Sequence, residues 1–224
     1  DREPTSTTTT IWEPFLYMDD YGHLICAYSD ERQKDDGVLQ ALSLRYTSDG
    51  VHWSEQSNIV AIGNYNDRPG MVTVSKMGNG KYIATYEVVN RPSYTQNSSV
   101  VYAKFSDDGL NWDEDDLGIL VQTADGQCLG SSPYVKWVDA GGPNGMVIIG
   151  AKWVVNADGD IQEGGQNLFV NYNYGEGDWE RYPQAITWDG EDIVYLDAFS
   201  QCIETNEDDT ILYQIANIGD PAND

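Results

Sequence analysis

The sequence predicts an all-β chain built as a β-propeller, and two observations carry that reading. The first is a repeat that ends on tryptophan: Leu42-Ser43-Leu44-Arg45-Tyr46-Thr47-Ser48-Asp49-Gly50-Val51-His52-Trp53, then Val101-Tyr102-Ala103-Lys104-Phe105-Ser106-Asp107-Asp108-Gly109-Leu110-Asn111-Trp112, then Leu168-Phe169-Val170-Asn171-Tyr172-Asn173-Tyr174-Gly175-Glu176-Gly177-Asp178-Trp179. An aromatic residue (Tyr46, Phe105 or Tyr172) stands seven positions before each Trp, with apolar residues two and four positions earlier still. That is strand alternation running into a tight acidic Gly turn, and a strand-built repeat of this length signals a propeller. The second observation is negative. No segment of about 11 residues or more carries a convincing 3.6-residue apolar period, so helix should be nearly absent.

Each unit can be followed in order. Trp12-Glu13-Pro14-Phe15-Leu16-Tyr17 turns at Asp19-Asp20-Tyr21-Gly22 into a strand from His23 to Ser29. Its counterparts are Arg68 to Val74 with the turn Met77-Gly78-Asn79-Gly80 and a strand from Lys81 to Val88, and Ser132 to Trp137 with the turn Gly141-Gly142-Pro143-Asn144-Gly145 and a strand from Met146 to Trp153. Last come Asp197 to Ile203, the turn Asn206-Glu207-Asp208-Asp209, and a strand from Thr210 to Ile215. Asn-Gly and Gly-rich turns between apolar runs are hairpin signals. The blade units are therefore placed at about 11–62, 67–122, 131–186 and 193–217, the last cut short, in one partial propeller domain spanning 1–224. Closed propellers have about four to eight four-stranded blades. The remaining blades are expected from sequence lying mainly before Asp1 or from another chain, with open sheet edges where they join. The run Thr5-Ser6-Thr7-Thr8-Thr9-Thr10 reads as a connection between blades or a trimmed terminus.

Composition limits the partners. With 12 basic against 37 acidic residues the net charge is -25, which repels nucleic acid and anionic membranes. No stretch approaches the roughly 20 apolar residues of a membrane span. The opening Asp1-Arg2-Glu3-Pro4 has neither an initiator Met nor a leader pattern, and reads as a processed or partial sequence from a secreted, extracellular protein. Seven Trp and fifteen Tyr suit both pleated sheets and sugar-binding clefts. Three Cys make neither a disulfide framework nor a metal site. Cys26 reads as a buried thiol, whereas Cys128 and Cys202, each at the start of an inner segment, could approach one another and pair. Asn97-Ser98-Ser99 is a glycan acceptor only in a eukaryotic secretory setting. His23 and His52 sit on turns without a companion ligand, so neither metal nor cofactor is expected.

In a propeller the innermost strands line the central channel, and their starting ends form the usual mouth. Three groups recur there: Glu13, Asp67 with Arg68, and Ser131 with Ser132. A charged group with an apolar run behind it is costly to bury without partners, and a β framework requires none at those places. The strand Lys81-Tyr82-Ile83-Ala84-Thr85-Tyr86-Glu87 likewise ends in an acid. Two carboxylates on neighbouring blades are what a glycosidase needs, one to attack or position and one to protonate the leaving oxygen. Spacing alone equally allows Glu13 and Glu87 to be salt-bridge partners of Arg68 and Arg32. Trp12, Tyr86 and Tyr134 offer stacking faces for sugar rings near the proposed mouth.

Ser48-Asp49-Gly50-Val51-His52-Trp53 and Ser106-Asp107-Asp108-Gly109-Leu110-Asn111-Trp112 resemble the Asp-box of sialidase-type propellers. Counted from the Trp, Ser48 takes the box's Asp position in the first and Asp107 in the second. Such turns sit on the periphery between third and fourth strands, with Asp and Ser bonding local amides and the Trp packed between blades. A longer resemblance rests on Trp12-Glu13-Pro14-Phe15-Leu16, Leu24 through Arg32, Asp67-Arg68-Pro69-Gly70-Met71, Gly80-Lys81-Tyr82, Tyr86-Glu87, Ser131-Ser132-Pro133-Tyr134 with Trp137, Gly141 through Gly145, and Gly175-Glu176-Gly177-Asp178-Trp179. Over about residues 11 to 215 these are similar to exo-α-1,5-L-arabinanases of glycoside hydrolase family 93 and their sialidase-like relatives. The resemblance implies a six-bladed propeller, of which this chain covers about four blades, acting by retention on a neutral polysaccharide. It implies Glu13 as nucleophile, Glu87 as acid/base, and Arg32 and Arg68 as residues that bind or orient sugar hydroxyls and the nucleophile. Asp67 and Ser132 fall in the matching mouth segments. The chain departs from the family at Ala198-Phe199-Ser200-Gln201, where a Tyr and an Arg are replaced, which changes a substrate contact at Phe199. The alternatives are a sialidase-like exo-glycosidase, for which two arginines are few and the charge unfavourable, and a non-catalytic carbohydrate-binding or structural propeller.

Overall fold

The computed structural model describes residues 9–63, 67–89, 99–161, 167–186 and 198–217. The Asn97-Ser98 part of the glycan acceptor, most of the Thr5 to Thr10 run and the beginning of the fourth unit lie outside the described residues. Three antiparallel sheets of four strands follow the chain order. The first is β1 (Ile11–Met18), β2 (Leu24–Asp30), β3 (Ala41–Thr47) and β4 (Ser57–Val60); the second is β5 (Arg68–Lys76), β6 (Tyr82–Val89), β7 (Val100–Ser106) and β8 (Ile119–Leu120). After the short β9 (Cys128–Gly130), the third combines β10 (Tyr134–Val138), β11 (Met146–Gly150), β13 (Asn167–Asn171) and β14 (Glu180–Pro183), while β12 (Trp153–Val155) turns back to pair with β9. A two-stranded sheet, β15 (Gln201–Thr205) with β16 (Leu212–Ala216), completes the described chain. A 3-10 turn at Lys34–Asp36 is the only helix among the described residues, and no helix there is long and apolar enough to cross a membrane.

Sheets stack face to face, which is why the middle strands are apolar on both faces. In β6 the residues Tyr82, Ala84, Tyr86 and Val88 join the core between the first and second sheets, whereas Ile83 between them joins the core shared with the third. In β11, Val147 and Ile149 face the second sheet and Ile148 faces β15 and its Ile203. The two-residue period of a strand sends successive side chains to opposite neighbours, so a sheet covered on both sides reads as a near-continuous apolar run. The outer faces of the row differ: Leu16 and Met18 at one end, and Ile211, Tyr213 and Ile215 at the other, are exposed. First strands meet across sheets, β5 lying against β1 and β10, and β10 against β15. Hydroxyls make part of that seam. Thr73 Oγ1 accepts from the Val135 N–H at 3.1 Å and Ser75 Oγ from the Trp137 N–H at 2.9 Å.

The acidic turns are capped locally, one residue away from the expected position. Asp49 Oδ1 accepts from the Val51 and His52 N–H groups, both at 2.8 Å, and Asp108 Oδ1 accepts from Leu110 at 2.9 Å and Asn111 at 2.8 Å. The expected Asp107 is instead exposed and pairs with Lys81 at 2.9 Å. In the third turn Asn171 takes the part, its Oδ1 accepting from Asn173 and Gly175, both at 2.8 Å. Short side chains holding the backbone two to four residues on are the usual means of fixing such turns. The tryptophans diverge: Trp179 is buried between second and third sheets, Trp112 is half-buried, and Trp53 is exposed rather than packed between blades.

Two further expectations are corrected. No disulfide joins Cys128 to Cys202: Cys128 pairs with Val155 on the small β9–β12 sheet, whereas Cys202 on β15 faces Ile215 on β16. The expected single strand from Met146 to Trp153 breaks after Gly150, because the Lys152 N–H leaves the ladder and donates to Ser131 O at 3.0 Å. The β9–β12 pairing is tight. A methyl on Gly130 would stand 2.5 Å from Ser99 O and 2.3 Å from Trp153 Nε1. Gly130→Ala is therefore expected to destabilise the fold by about 1–3 kcal/mol, the range for overpacking, and chemical denaturation would measure it. An unchanged midpoint would show that this strand pairing yields easily.

Candidate active site

Near the start of each first strand stands a residue in the left-handed region, and the segments that carry these residues wall one cleft. Glu13 (φ 55°) and Met71 (φ 54°) sit in bulges of β1 and β5, and Ser132 (φ 48°) and Ala198 (φ 59°) occupy the matching places before β10 and β15. Such a conformation in a non-glycine residue costs about 1–3 kcal/mol and is retained where the surroundings fix it, often at functional sites. Bulges also re-aim side chains. The cleft, about 340 Å³, is walled by four equivalent segments: Glu13 to Phe15, Met71 to Thr73, Ser132 to Tyr134, and Phe199 to Gln201. Glu13 and Ser132 are each followed by proline and an aromatic, a repeated pattern that could have announced the geometry.

The two acids are held in the same way. Glu13 Oε2 accepts from Ser29 Oγ at 2.9 Å, in its own sheet, and from the Met71 N–H at 2.9 Å, in the next. Glu87 Oε2 accepts from Ser99 Oγ at 3.2 Å and from the Ser132 N–H at 3.0 Å. Each carboxylate thus reads the backbone of the left-handed residue one sheet further on. Their environments differ, Glu13 being exposed and Glu87 buried. Burial is the largest influence on Glu87 and pushes its carboxyl above the ordinary glutamate range; hydrogen bonds from Ser131, Ser132 and Ser99 oppose the shift and the charge of Glu13 adds to it. The side chains converge over Gly70, where a methyl would lie 3.5 Å from Glu13 Oε2, 3.8 Å from Glu87 Oε1 and 3.1 Å from Gln40 Nε2. Gln40 is buried and donates to Pro69 O, and its Oε1 has no partner among the described residues.

The other expected site residues divide. Ser132, Tyr134 and Phe199 line the cleft, and Tyr134 meets Phe15 edge-on at 6.0 Å between ring centroids. Trp12 is exposed beside Glu13 without lining the cleft. Asp67 is buried immediately before β5. Tyr86 is corrected: it is wholly buried in the core between first and second sheets, its hydroxyl donating to Leu117 O, and presents no face to a sugar. Arg32 forks onto Asp30, Nε and Nη2 both making 2.8 Å bonds, and lines a separate concavity with Arg45, Glu55 and Gln56. Arg68 reaches Glu31 at 3.5 Å. The ion pairs of both arginines thus run to the segment Asp30-Glu31 and away from Glu13 and Glu87. Ser29, Ser99, Met71, Gly70 and Gln40 were not anticipated; only their contacts reveal them. Among the described residues no group of three His, Cys, Asp or Glu side chains is placed to hold a metal ion.

Fold and mouth together define the class, a propeller-like all-β fold with two carboxylates brought together at one mouth, Glu13 near the start of the first strand β1 and Glu87 near the end of the second strand β6. Within that class the chain is similar to solved structures of family 93 arabinanases and arabinofuranosidases. With the Penicillium chrysogenum α-L-arabinanase, determined in complex with arabinobiose, it shares 32% identity over 79% of this chain and 46% of that one, at a TM-score of 0.63. With the family 93 α-L-arabinofuranosidase of Fusarium graminearum, also complexed with arabinobiose, the identity is 25% over 90% and 51%, at a TM-score of 0.71. A Hadza microbial sialidase shares the fold at 14% identity over 79% and 38%, with a TM-score of 0.56. The chain spans about half the length of the Penicillium and Fusarium chains. No family model matches it, and no curated protein matches it.

Proposed function

We propose that the protein is a retaining exo-glycosidase acting on a neutral polysaccharide outside the cell, with arabinan the first candidate. The observation that carries this reading is the convergence of exposed Glu13 and buried Glu87 on the space over Gly70. Two carboxyl groups in unlike surroundings are how one site runs acid and nucleophile together. Glu13 attacks the anomeric carbon while Glu87 protonates the leaving oxygen; Glu87, now a base, then activates the water that releases the sugar. Retention requires about 5–5.5 Å between the carboxyl groups, and inversion about 6.5–9.5 Å. Met71 and Ser132 aim the pair, while Phe15, Tyr134 and Phe199 supply apolar walls for a sugar ring. Among the described residues no arginine lines the cleft, and with a net charge of -25 this disfavours an anionic sugar. The ring is read as six-bladed and completed by further blades, which would cover Leu16, Met18, Ile211, Tyr213 and Ile215. The peripheral turns are read as Asp-boxes.

Full-length protein incubated with linear arabino-oligosaccharides is expected to release arabinose of retained configuration from one end, and nothing from a sialoside. Release of sialic acid, or an inverted product, would reject the corresponding part of the proposal. Phe199 supports a second reading, a non-catalytic carbohydrate-binding propeller, because its side chain presents a ring without a hydroxyl to the cleft. Binding of arabinobiose without any cleavage would select it.

A further inference from the structure

The cleft wall at Phe199 has a cation directly behind it. Lys152 is fully buried, and its Nζ stands 3.5 Å from the centroid of the Phe199 ring and 5.2 Å from that of Trp153. Phe199 is 38% exposed and turns towards the cleft that Glu13, Phe15 and Tyr134 also line. Its backbone is tied on both sides, by the Ala198 N–H to Asn217 O and the Ser200 N–H to Asn217 Oδ1, each at 2.8 Å. Lys152 is anchored in turn: its own N–H donates to the carbonyl of Ser131, next to the residue whose N–H holds Glu87.

We propose that Lys152 is a positioning residue that holds Phe199 as a fixed stacking wall for a neutral sugar ring in this cleft. The inference rests on the carbohydrate reading above and adds to it the residue that sets the wall. Attraction between an ammonium and a ring face is greatest where the cation is desolvated, as it is here. A ring so held has little orientational freedom left to lose when a sugar stacks on its open face, so binding is less opposed by ordering. The same cation lowers the pull of the open face on a second positive charge, so the wall suits neutral sugars and disfavours amino sugars.

The test uses full-length protein and arabinobiose, with Lys152→Met, Lys152→Arg, Phe199→Leu and the Lys152→Met/Phe199→Leu double variant. Lys152→Met is expected to raise both the Kd from calorimetry and the KM about fivefold to tenfold, the range of a lost aromatic contact, with kcat unchanged. Lys152→Arg should restore most of that loss. Phe199→Leu should lose as much, and the double variant no more than Phe199→Leu alone, because both changes remove one interaction. Independently of any substrate, fluorine-labelled Phe199 should give one sharp resonance in the wild type and a broadened one in Lys152→Met. Should Lys152→Met not fold, a sharp Phe199 resonance retained in Lys152→Arg together with the loss in Phe199→Leu supports the proposal. Equal KM values in folded Lys152→Met and wild type, a fall in kcat alone, or additive losses in the double variant would overturn it. A wild type that binds no arabinobiose rejects the carbohydrate reading, and a Phe199 resonance unchanged by Lys152→Met rejects this inference separately.

Discussion

Replacing Glu87 with Gln in the full-length protein is expected to lower turnover of arabino-oligosaccharides by about 10²–10⁴-fold, the usual contribution of a positioned general acid. Substrates whose leaving group needs no proton should lose far less in the first step, because a phenolate with a low pKa departs unaided. The amide keeps an oxygen that can accept the Ser132 N–H and Ser99 hydroxyl bonds of the carboxylate, so the change removes the proton and leaves the packing. The pH profile gives a second check. Glu87 must be protonated to act first, and burial raises its carboxyl above the usual range, so kcat/KM should fall as pH rises through that raised value. Stability shares the sign. The native state holds this proton more tightly than the unfolded chain, so the contribution is fully present below the ordinary glutamate range and is lost as pH rises through the raised value. Glu87→Gln should flatten both dependences. Equal losses on natural and activated substrates would reject the acid role.

The sequence makes the fold legible wherever burial is symmetrical. Strand β6 reads as apolar throughout because Tyr82, Ala84, Tyr86 and Val88 face one neighbour and Ile83 the other, and its turn is announced by Asn79-Gly80. The same symmetry explains the error at Tyr86: in a strand covered on both faces, nothing in the pattern separates an aromatic that packs from one that faces a mouth. Asp108 was missed in favour of Asp107 because either carboxylate is within one residue of the box position, and only the hydrogen bonds to Leu110 and Asn111 decide between them. At the candidate site the two acids are visible as charges that a β framework does not need, whereas their supports are not. Met71 and Ser132 act through backbone N–H groups, which carry no residue signature, and Ser29 and Ser99 are unremarkable strand residues until the fold brings them to a carboxylate. Spacing could not decide whether Arg68 and Arg32 pair with Glu13 and Glu87, because Asp30 and Glu31, within two residues of Arg32 in sequence, compete locally for the same charge.

Gly70→Ala is expected to lower activity by about 10²-fold, the scale on which small displacements of reacting groups are felt, while leaving the melting temperature nearly unchanged. Gly70 lies in β5, where its backbone does not need the left-handed region that glycine permits at Gly22 or Gly80. An alanine is therefore conformationally acceptable there. Its methyl would be 3.1 Å from Gln40 Nε2, a contact that the flexible end of that side chain can relieve by a few tenths of an ångström. The same methyl would lie 3.5 Å from Glu13 Oε2 and 3.8 Å from Glu87 Oε1, in the space the two carboxylates share. It adds no clash, but it replaces room for a substrate oxygen or water with apolar volume and withdraws solvation from both acids. The site loses function while the sheet keeps its ladder, the reverse of Gly130→Ala, where the obstruction is the rigid carbonyl of Ser99. Measured side by side, activity and denaturation should separate the two glycines cleanly. Wild-type activity in Gly70→Ala would mean that the reacting sugar does not pass over Gly70, and the pairing of Glu13 with Glu87 as nucleophile and acid would have to be given up.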